Sequence, residues 1–142
     1  MTRLTRRYRF SASHRLHSSR FSERENRELY GKCNNPWGHG HNYVLEVAAA
    51  GETDRQSGQV VNVLALDDLV RRTVLDHFDH RDLNRDVAEL AGVVPTSENI
   101  AAEIRRRLAE RWSAHFGSPG PRLEGVKLRE TARNSFELRN EN

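Results

Sequence analysis

His39 and His41 stand two residues apart, just downstream of Cys33, the only cysteine of the chain. The run that carries them is Cys33-Asn34-Asn35-Pro36-Trp37-Gly38-His39-Gly40-His41. Side chains of a strand repeat on one face every second residue, so both imidazoles would project the same way. Their Cα atoms would then lie roughly 6.5 Å apart, close enough for both rings to reach one metal ion. Gly38 and Gly40 remove bulk where a ligand or another backbone could approach. Two histidines do not close a zinc site, so a third ligand has to come from elsewhere. His14 is the natural donor, because it ends the first strand on the same face as Tyr8 and Phe10. If the two strands pair, three imidazoles converge on one ion and leave a position open for water or substrate, which is the catalytic arrangement. The plainer alternatives are a glycine-flanked turn with two exposed histidines, and a His14 that merely ends its strand. His17 would replace His14 only from the other strand face, and His115 reads as a surface residue near a helix end.

Cys33 allows two functional readings. As a fourth ligand it would close the site and make it structural. Kept off the metal, it would act as base or nucleophile once something lowers its thiol pKa. A lone cysteine can also be a small buried hydrophobe, although the turn-like Asn34-Asn35-Pro36 beside it argues against a core position. Asp79-His80 offers a carboxylate next to an imidazole, which can fix the ring's tautomer and raise its basicity for proton transfer. The bland alternative is a charged helix end. Glu130 shares a strand face with Val126 and Leu128, and a carboxylate on such a surface needs a hydrogen-bonding partner. A guanidine-like ligand edge would serve; from the residues alone, one of the many arginines is the expected partner. Arg105-Arg106-Arg107 lies mostly off the apolar stripe of its helix and reads as a solvated face, since no interleaved aromatics mark a nucleic-acid surface.

The elements that must hold these residues follow from periodicity. Leu4, Tyr8, Phe10, Ala12 and His14 share one face of a strand over 4–14, and His39, His41, Tyr43, Leu45 and Val47 share one face of a second over 39–50. Residues 22–29 are polar and read as a loop or short helix. Residues 51–58 are turn-rich and lead to an expected third strand at 59–63, forming a hairpin with the second. Leu66, Leu69, Val70, Thr73, Val74, His77 and Phe78 keep the spacing of an amphipathic helix. A second helix starts after Pro95 with Thr96 or Ser97 as N-cap, its stripe formed by Ile100, Ile104, Leu108 and Trp112. A last strand carries Val126, Leu128 and Glu130, and 136–138 can add a short one. Strand-rich halves around two helices predict an α+β domain with an antiparallel sheet.

A chain of 142 residues suits one domain, 1–142, and no linker or repeat divides it. Its hydrophobic fraction is only 36% against 30% charged residues, so apolar surface can also be buried between subunits. The net charge of +3 comes almost entirely from arginine, with Lys32 and Lys127 the only lysines. Guanidinium groups suit phosphate recognition. One cysteine excludes an internal disulfide, and no apolar run resembles a signal sequence or a membrane span. A soluble protein of the cytoplasm is expected, with no membrane and no nucleic-acid partner.

Taken together, these residues make the chain similar to the 6-pyruvoyltetrahydropterin synthase family, which also contains the bacterial 6-carboxytetrahydropterin synthases. The landmarks are Phe10 to Leu16, Tyr30 to Pro36, Gly38 to Tyr43, Gly58 to Asn62, Leu75 with Asp79 to Asn84, Pro95 to Asn99, and Glu130-Thr131, in family order. The resemblance implies that His14, His39 and His41 hold Zn2+, and that Cys33, Asp79 and His80 form the catalytic group. Glu130 would anchor the pterin's amino-pyrimidine edge, with Thr96 and Ser97 nearby. The implied fold is the tunnelling fold, an antiparallel four-stranded sheet with two helices packed on one face, assembling into a barrel. Family members are typically hexamers, dimers of trimers with active sites between subunits. The implied reaction is that of a lyase converting 7,8-dihydroneopterin triphosphate to 6-pyruvoyltetrahydropterin, as in tetrahydrobiopterin biosynthesis. Five residues separate Cys33 from His39, as in the pyruvoyl-forming enzymes, whereas the carboxy-forming enzymes commonly have a shorter interval. The branch making a 6-hydroxymethyl product tends to carry a glutamate in the cysteine region. Trp37 departs from the asparagine usual at its position, which bears on the pocket mouth, and Ser97 replaces a common second threonine. The alternatives are a 6-carboxytetrahydropterin synthase of queuosine and deazapurine biosynthesis, and a non-catalytic zinc or pterin-binding module.

Overall fold

Alternation of polar and apolar residues makes the first strand, β1 (Thr2–His14), and its even positions grow more buried toward the end that carries His14. The computed structural model describes residues 1–140. Helix α1 (Glu23–Tyr30) resolves the polar segment after it, and is started by a capping box. Ser22 Oγ accepts from the Glu25 N–H at 3.1 Å, and Glu25 Oε1 accepts from the Ser22 N–H at 3.0 Å. A single 3₁₀ turn, Gly31–Asn34, then carries Cys33.

Strand β2 (His39–Gly51) runs antiparallel to β1 along its whole length, from Thr2 opposite Gly51 to His14 opposite His39. The next elements are helix α2 (Val63–Val70), a π-helical turn (Arg71–Leu75) and α3 (Asp76–Phe78), which form one continuous helical segment. Strand β3 (Arg81–Asp82) and the short helix α4 (Leu83–Asp86) lead through a 3₁₀ turn at Ala88–Leu90 to the long helix α5 (Ser97–Phe116). Strands β4 (Arg122–Arg129) and β5 (Ser135–Arg139) close the chain's order.

The sheet has five strands in the order β3-β1-β2-β4-β5, rather than the four expected. All pairs are antiparallel except the two-residue β3, which lies parallel to β1 opposite Ala12 and Ser13. The expected strand at 59–63 and its hairpin do not form, and the reason lies in the order. Strand β2 is flanked by β1 on one edge and β4 on the other, so it has no free edge to offer. Val61 is instead buried in the core, and the Asn62 side chain N-caps α2 by accepting from the Ala65 N–H at 3.1 Å.

One face of the sheet is covered by the segment 63–78 and by α5. The core between them includes Phe10, Tyr43 and Leu45 from the sheet, Leu66, Val70 and Phe78 from the first helical segment, and Ile100, Ile104 and Leu108 from α5. His77, counted with the apolar stripe from sequence, is exposed because the wide π turn shifts the helical phase ahead of it. No helix among the described residues is long and apolar enough to cross a membrane.

Candidate active site

The register of β1 and β2 places His14 directly opposite His39 and puts His41 opposite Ala12, all on one sheet face. The ring centroids of His14 and His41 are 4.9 Å apart, and those of His39 and His41 are 4.7 Å apart. The two strands pair as expected, and the pairing sets the rings of His14 and His39 on either side of His41. His14 is buried, with 1% of its surface exposed, whereas His39 faces solvent.

Cys33 joins this cluster from outside the sheet. Its 3₁₀ turn is clipped to the chain leaving β1 through the Leu16 N–H donating to Cys33 O at 2.7 Å. The buried Asn34 amide adds a bond to Leu16 O at 2.7 Å and meets His17 Nδ1 at 3.1 Å. That anchoring sets Cys33 Sγ 3.8 Å from His41 Nε2. His14, Cys33 and His41 each offer one ligand atom, all within 4.8 Å of one another, and so form a group able to hold a metal ion. His39 stands beside this group through its contact with His41.

Gly38 makes the approach possible. It sits at φ +82°, and an added Cβ would lie 3.2 Å from His14 O. The turn is closed by the Gly38 N–H donating to Asn35 O at 2.8 Å, with Pro36 and Trp37 at its corners. Gly40, by contrast, has open space where a side chain would go. Trp37 is 94% exposed.

Helix α5 docks its N-terminus against the site. Thr96 is the N-cap, its hydroxyl accepting from the Asn99 N–H at 3.3 Å. Just before it, Pro95 O lies 2.8 Å from His14 Nδ1 and accepts its hydrogen. This fixes the tautomer and leaves Nε2 as the lone-pair nitrogen. That Nε2 is buried and has no hydrogen-bond partner among the described residues. Ser97, the first residue of α5 and also buried, donates its hydroxyl to Glu130 Oε2. Glu130 lies just past the end of β4, and its other oxygen is 3.7 Å from His41 Nε2. Its hydrogen-bond partner is thus a serine, with His41 close by, and not the arginine expected from the residues alone.

Burial sets the electrostatics. It pushes the pKa of His14 below its ordinary value, against the hydrogen bond to Pro95. Burial likewise lowers that of His41, with Glu130 opposing and the neighbouring imidazoles adding. Burial thus favours the neutral form of both rings, the form that ligates metal. Burial, and then the Glu130 carboxylate, push the Cys33 thiol up. A thiolate there needs an added positive charge. A divalent cation would supply it, and the unpartnered His14 Nε2 is the lone pair such an ion would take. The donor set fits zinc.

Asp79 and His80 do not join this cluster. Asp79 Oδ1 accepts from the Ser11 N–H at 2.9 Å and lies 3.1 Å from His80 Nδ1, while the His80 N–H donates to Ser11 O at 2.6 Å. The dipeptide is therefore strapped to the edge of β1. His80 adopts φ 59°, a left-handed conformation uncommon outside glycine, with its ring 82% exposed. Such strain is retained where the surroundings over-determine it.

Two groups at the site were not singled out from sequence. Pro95 contributes through a backbone carbonyl, for which no residue type is a signal. Tyr43 lies two residues beyond His41 on the same face, its hydroxyl buried without a hydrogen-bond partner among the described residues. Period-two spacing already puts it on the face of His39 and His41, but an apolar-face tyrosine does not by itself mark a site.

The 6-pyruvoyl tetrahydropterin synthase family model matches residues 3–141 of the chain. The 6-pyruvoyl tetrahydrobiopterin synthase of Poecilia reticulata is 41% identical over 138 residues, which covers 97% of this chain and 90% of that relative. The Dictyostelium discoideum protein of the same name is 42% identical over 138 residues, covering 97% of this chain and 96% of its own. Among solved structures, the 6-pyruvoyl tetrahydropterin synthase of Caenorhabditis elegans superposes with a TM-score of 0.86 at 39% identity, covering 99% of this chain and 96% of that one.

Proposed function

Because the chain belongs to the 6-pyruvoyl tetrahydropterin synthase family, we propose that it is a zinc-dependent lyase converting 7,8-dihydroneopterin triphosphate to 6-pyruvoyltetrahydropterin and triphosphate. The observation that carries this reading is the buried His14, with Nδ1 tied to Pro95 O and Nε2 open toward Cys33 and His41. His14, His39 and His41 are the proposed zinc ligands. Zinc held by them supplies Lewis acidity to the substrate's side-chain hydroxyls, which acidifies the neighbouring carbon-bound hydrogens.

Each residue then has a task. Glu130, oriented by Ser97, accepts hydrogen bonds from the amino-pyrimidine edge of the pterin, and Thr96 shapes the same end by capping α5. Cys33 as thiolate takes the proton from the side-chain carbon. The two electrons of that carbinol pass into the ring C=N bond, which gains hydrogens, while elimination of triphosphate leaves an enol that becomes the second ketone. The redox change is internal, so no external oxidant or reductant is required. His80, oriented by Asp79, returns and removes protons.

The exposed Asp79-His80 pair stands apart from Cys33 on its own chain, which supports an assembly in which a neighbouring copy brings it to the site. A barrel made of two stacked trimers, a hexamer, is the form we propose. The cytoplasm, where a lone cysteine stays reduced, is the proposed compartment.

Incubation with dihydroneopterin triphosphate and mass analysis of the pterin tests the reaction. Release of acetaldehyde with a carboxylated pterin would assign the other branch of the family, and ligand binding without triphosphate release would leave only a binding module. Cys33→Ala separates the two roles of the thiol: zinc content should stay at about one per chain while turnover disappears. Loss of zinc in that variant would make the cysteine a ligand.

A further inference from the structure

A concavity of about 490 Å³ opens beside the histidine cluster, with His39 forming part of its wall. Its charged lining is lopsided. Arg15 leaves the end of β1, Arg27 comes from α1 and Lys32 from the 3₁₀ turn of Cys33, against Glu23 as the lone carboxylate. The neighbouring Arg24 on α1 is paired with Glu28 at 3.0 Å, whereas Arg15, Arg27 and Lys32 have no ion-pair partner among the described residues. Arg15 is also placed by contacts shared with the turn that carries the thiol. Arg15 Nε donates to Asn34 O at 3.2 Å, and Asn84 clamps the Arg15 backbone through bonds of 2.8 and 2.9 Å.

Three unneutralised cations converging on one pocket of this size are a seat for a compact polyanion. His39 joins the pocket to the reaction centre, since its ring lies 4.7 Å from that of His41. We infer that this pocket holds the triphosphate tail of the substrate, with Arg15, Arg27 and Lys32 as its anchors. The assignment rests on the proposed lyase reading. It adds which cations grip the leaving group, and places the tail at the His39 end of the site with the pterin ring at the Glu130 end. Lys32 stands one residue before Cys33 in the same 3₁₀ turn.

Inorganic tripolyphosphate is the probe, used on the zinc-loaded full chain. Direct binding is measured by calorimetry and inhibition by steady-state kinetics. Tripolyphosphate should inhibit competitively against the pterin triphosphate. Arg27→Ala and Lys32→Ala, both at exposed positions, should each weaken tripolyphosphate and raise KM by about tenfold, the loss of one hydrogen bond to a charged group. Zinc content and kcat should be little changed. Arg72→Ala, which removes the same charge from the helical face, is the control and should leave both quantities unchanged. Unaltered tripolyphosphate affinity and KM in the two pocket variants would overturn the assignment, as would inhibition that is not competitive. If no pterin triphosphate is turned over at all yet tripolyphosphate binding still drops in the pocket variants, the anion seat stands and the lyase reading falls.

Discussion

The two nitrogens of His14 divide its work: Nδ1 is committed to Pro95 O, and Nε2 is left for an ion. Without that ion the buried Nε2 costs about 1–3 kcal/mol as an unsatisfied group. The same burial makes stability pH-dependent. His14 and His41 have folded pKa values below the ordinary one, so the unfolded chain binds more protons as pH falls through about 6.5. Their contribution is complete above that pH and is lost below it, down to the depressed folded values. The melting temperature of the metal-free protein should therefore fall on acidification from about pH 8 to about pH 5, and His41→Asn should show a shallower slope over the same window. A second expectation concerns Ser97. Its hydroxyl orients Glu130, so Ser97→Ala should raise KM for the pterin substrate by about tenfold with a smaller effect on kcat, and Ser97→Thr should restore it. The histidines were legible in the sequence because period two puts His39, His41 and Tyr43 on one face and His14 ends a strand with the same parity. The partners of His14 and Glu130 were not. Pro95 lies 81 residues from His14, and Ser97 lies 33 residues from Glu130, distances over which no local pattern speaks.

At the level of elements, the helical segment over 63–78 is shaped by a hydroxyl and a guanidinium. Thr73 Oγ1 donates back to Leu69 O at 2.7 Å inside the π turn, the kind of back-bond that loosens a helix. The Thr73 carbonyl, displaced by that turn, accepts from Arg107 Nη1 at 3.1 Å. Arg107 also bonds Glu103 and Glu89, both at 2.9 Å, and stacks over Phe78 with its guanidinium carbon 5.1 Å from the ring centre. Burial works against ionisation of Glu103, but the hydrogen bonds from Arg106 and Arg107 outweigh it and hold its pKa below the ordinary carboxylate value. The Arg105-Arg106-Arg107 run is thus no simple solvated face, since the Arg107 side chain is only 14% exposed and ties α5 to the wide turn. Arg107→Ala should cost about 2–4 kcal/mol, because it leaves Glu103 and the Thr73 carbonyl short of partners in a half-dry site. Urea midpoints would measure it, with Arg106→Ala showing the smaller loss because its head group reaches solvent. The alternation of β1 and β2 and the stripe of α5 were readable because long elements repeat their signal. Strand β3 was not, for two residues carry no period, and the supposed strand at 59–63 failed because sheet order, invisible locally, leaves β2 no edge.

The molecule as a whole separates the proposed catalytic group. Cys33 lies with His14 and His41 at one end of the β1–β2 pair, while Asp79-His80 is strapped to the outer edge of β1 with its imidazole exposed. An exposed histidine at a positive φ, bonded among the described residues to Asp79 and the edge of β1, suits a site completed across an interface. The low apolar fraction of 36% is consistent with surface reserved for such contacts. Subunit mixing tests this directly. Cys33→Ala and His80→Ala should each be inactive alone. If Cys33 comes from one chain and His80 from its neighbour, a site in a mixed oligomer works only when the first chain is the His80 variant and the second the Cys33 variant. Random assortment of equal amounts gives each condition a chance of one half, so unfolding and refolding the mixture should restore about a quarter of wild-type activity. Were both residues drawn from one chain, every site would lack one of them and the mixture would stay inactive. Light scattering on the same samples fixes the size of the assembly, so recovery of activity can be read against a known number of chains.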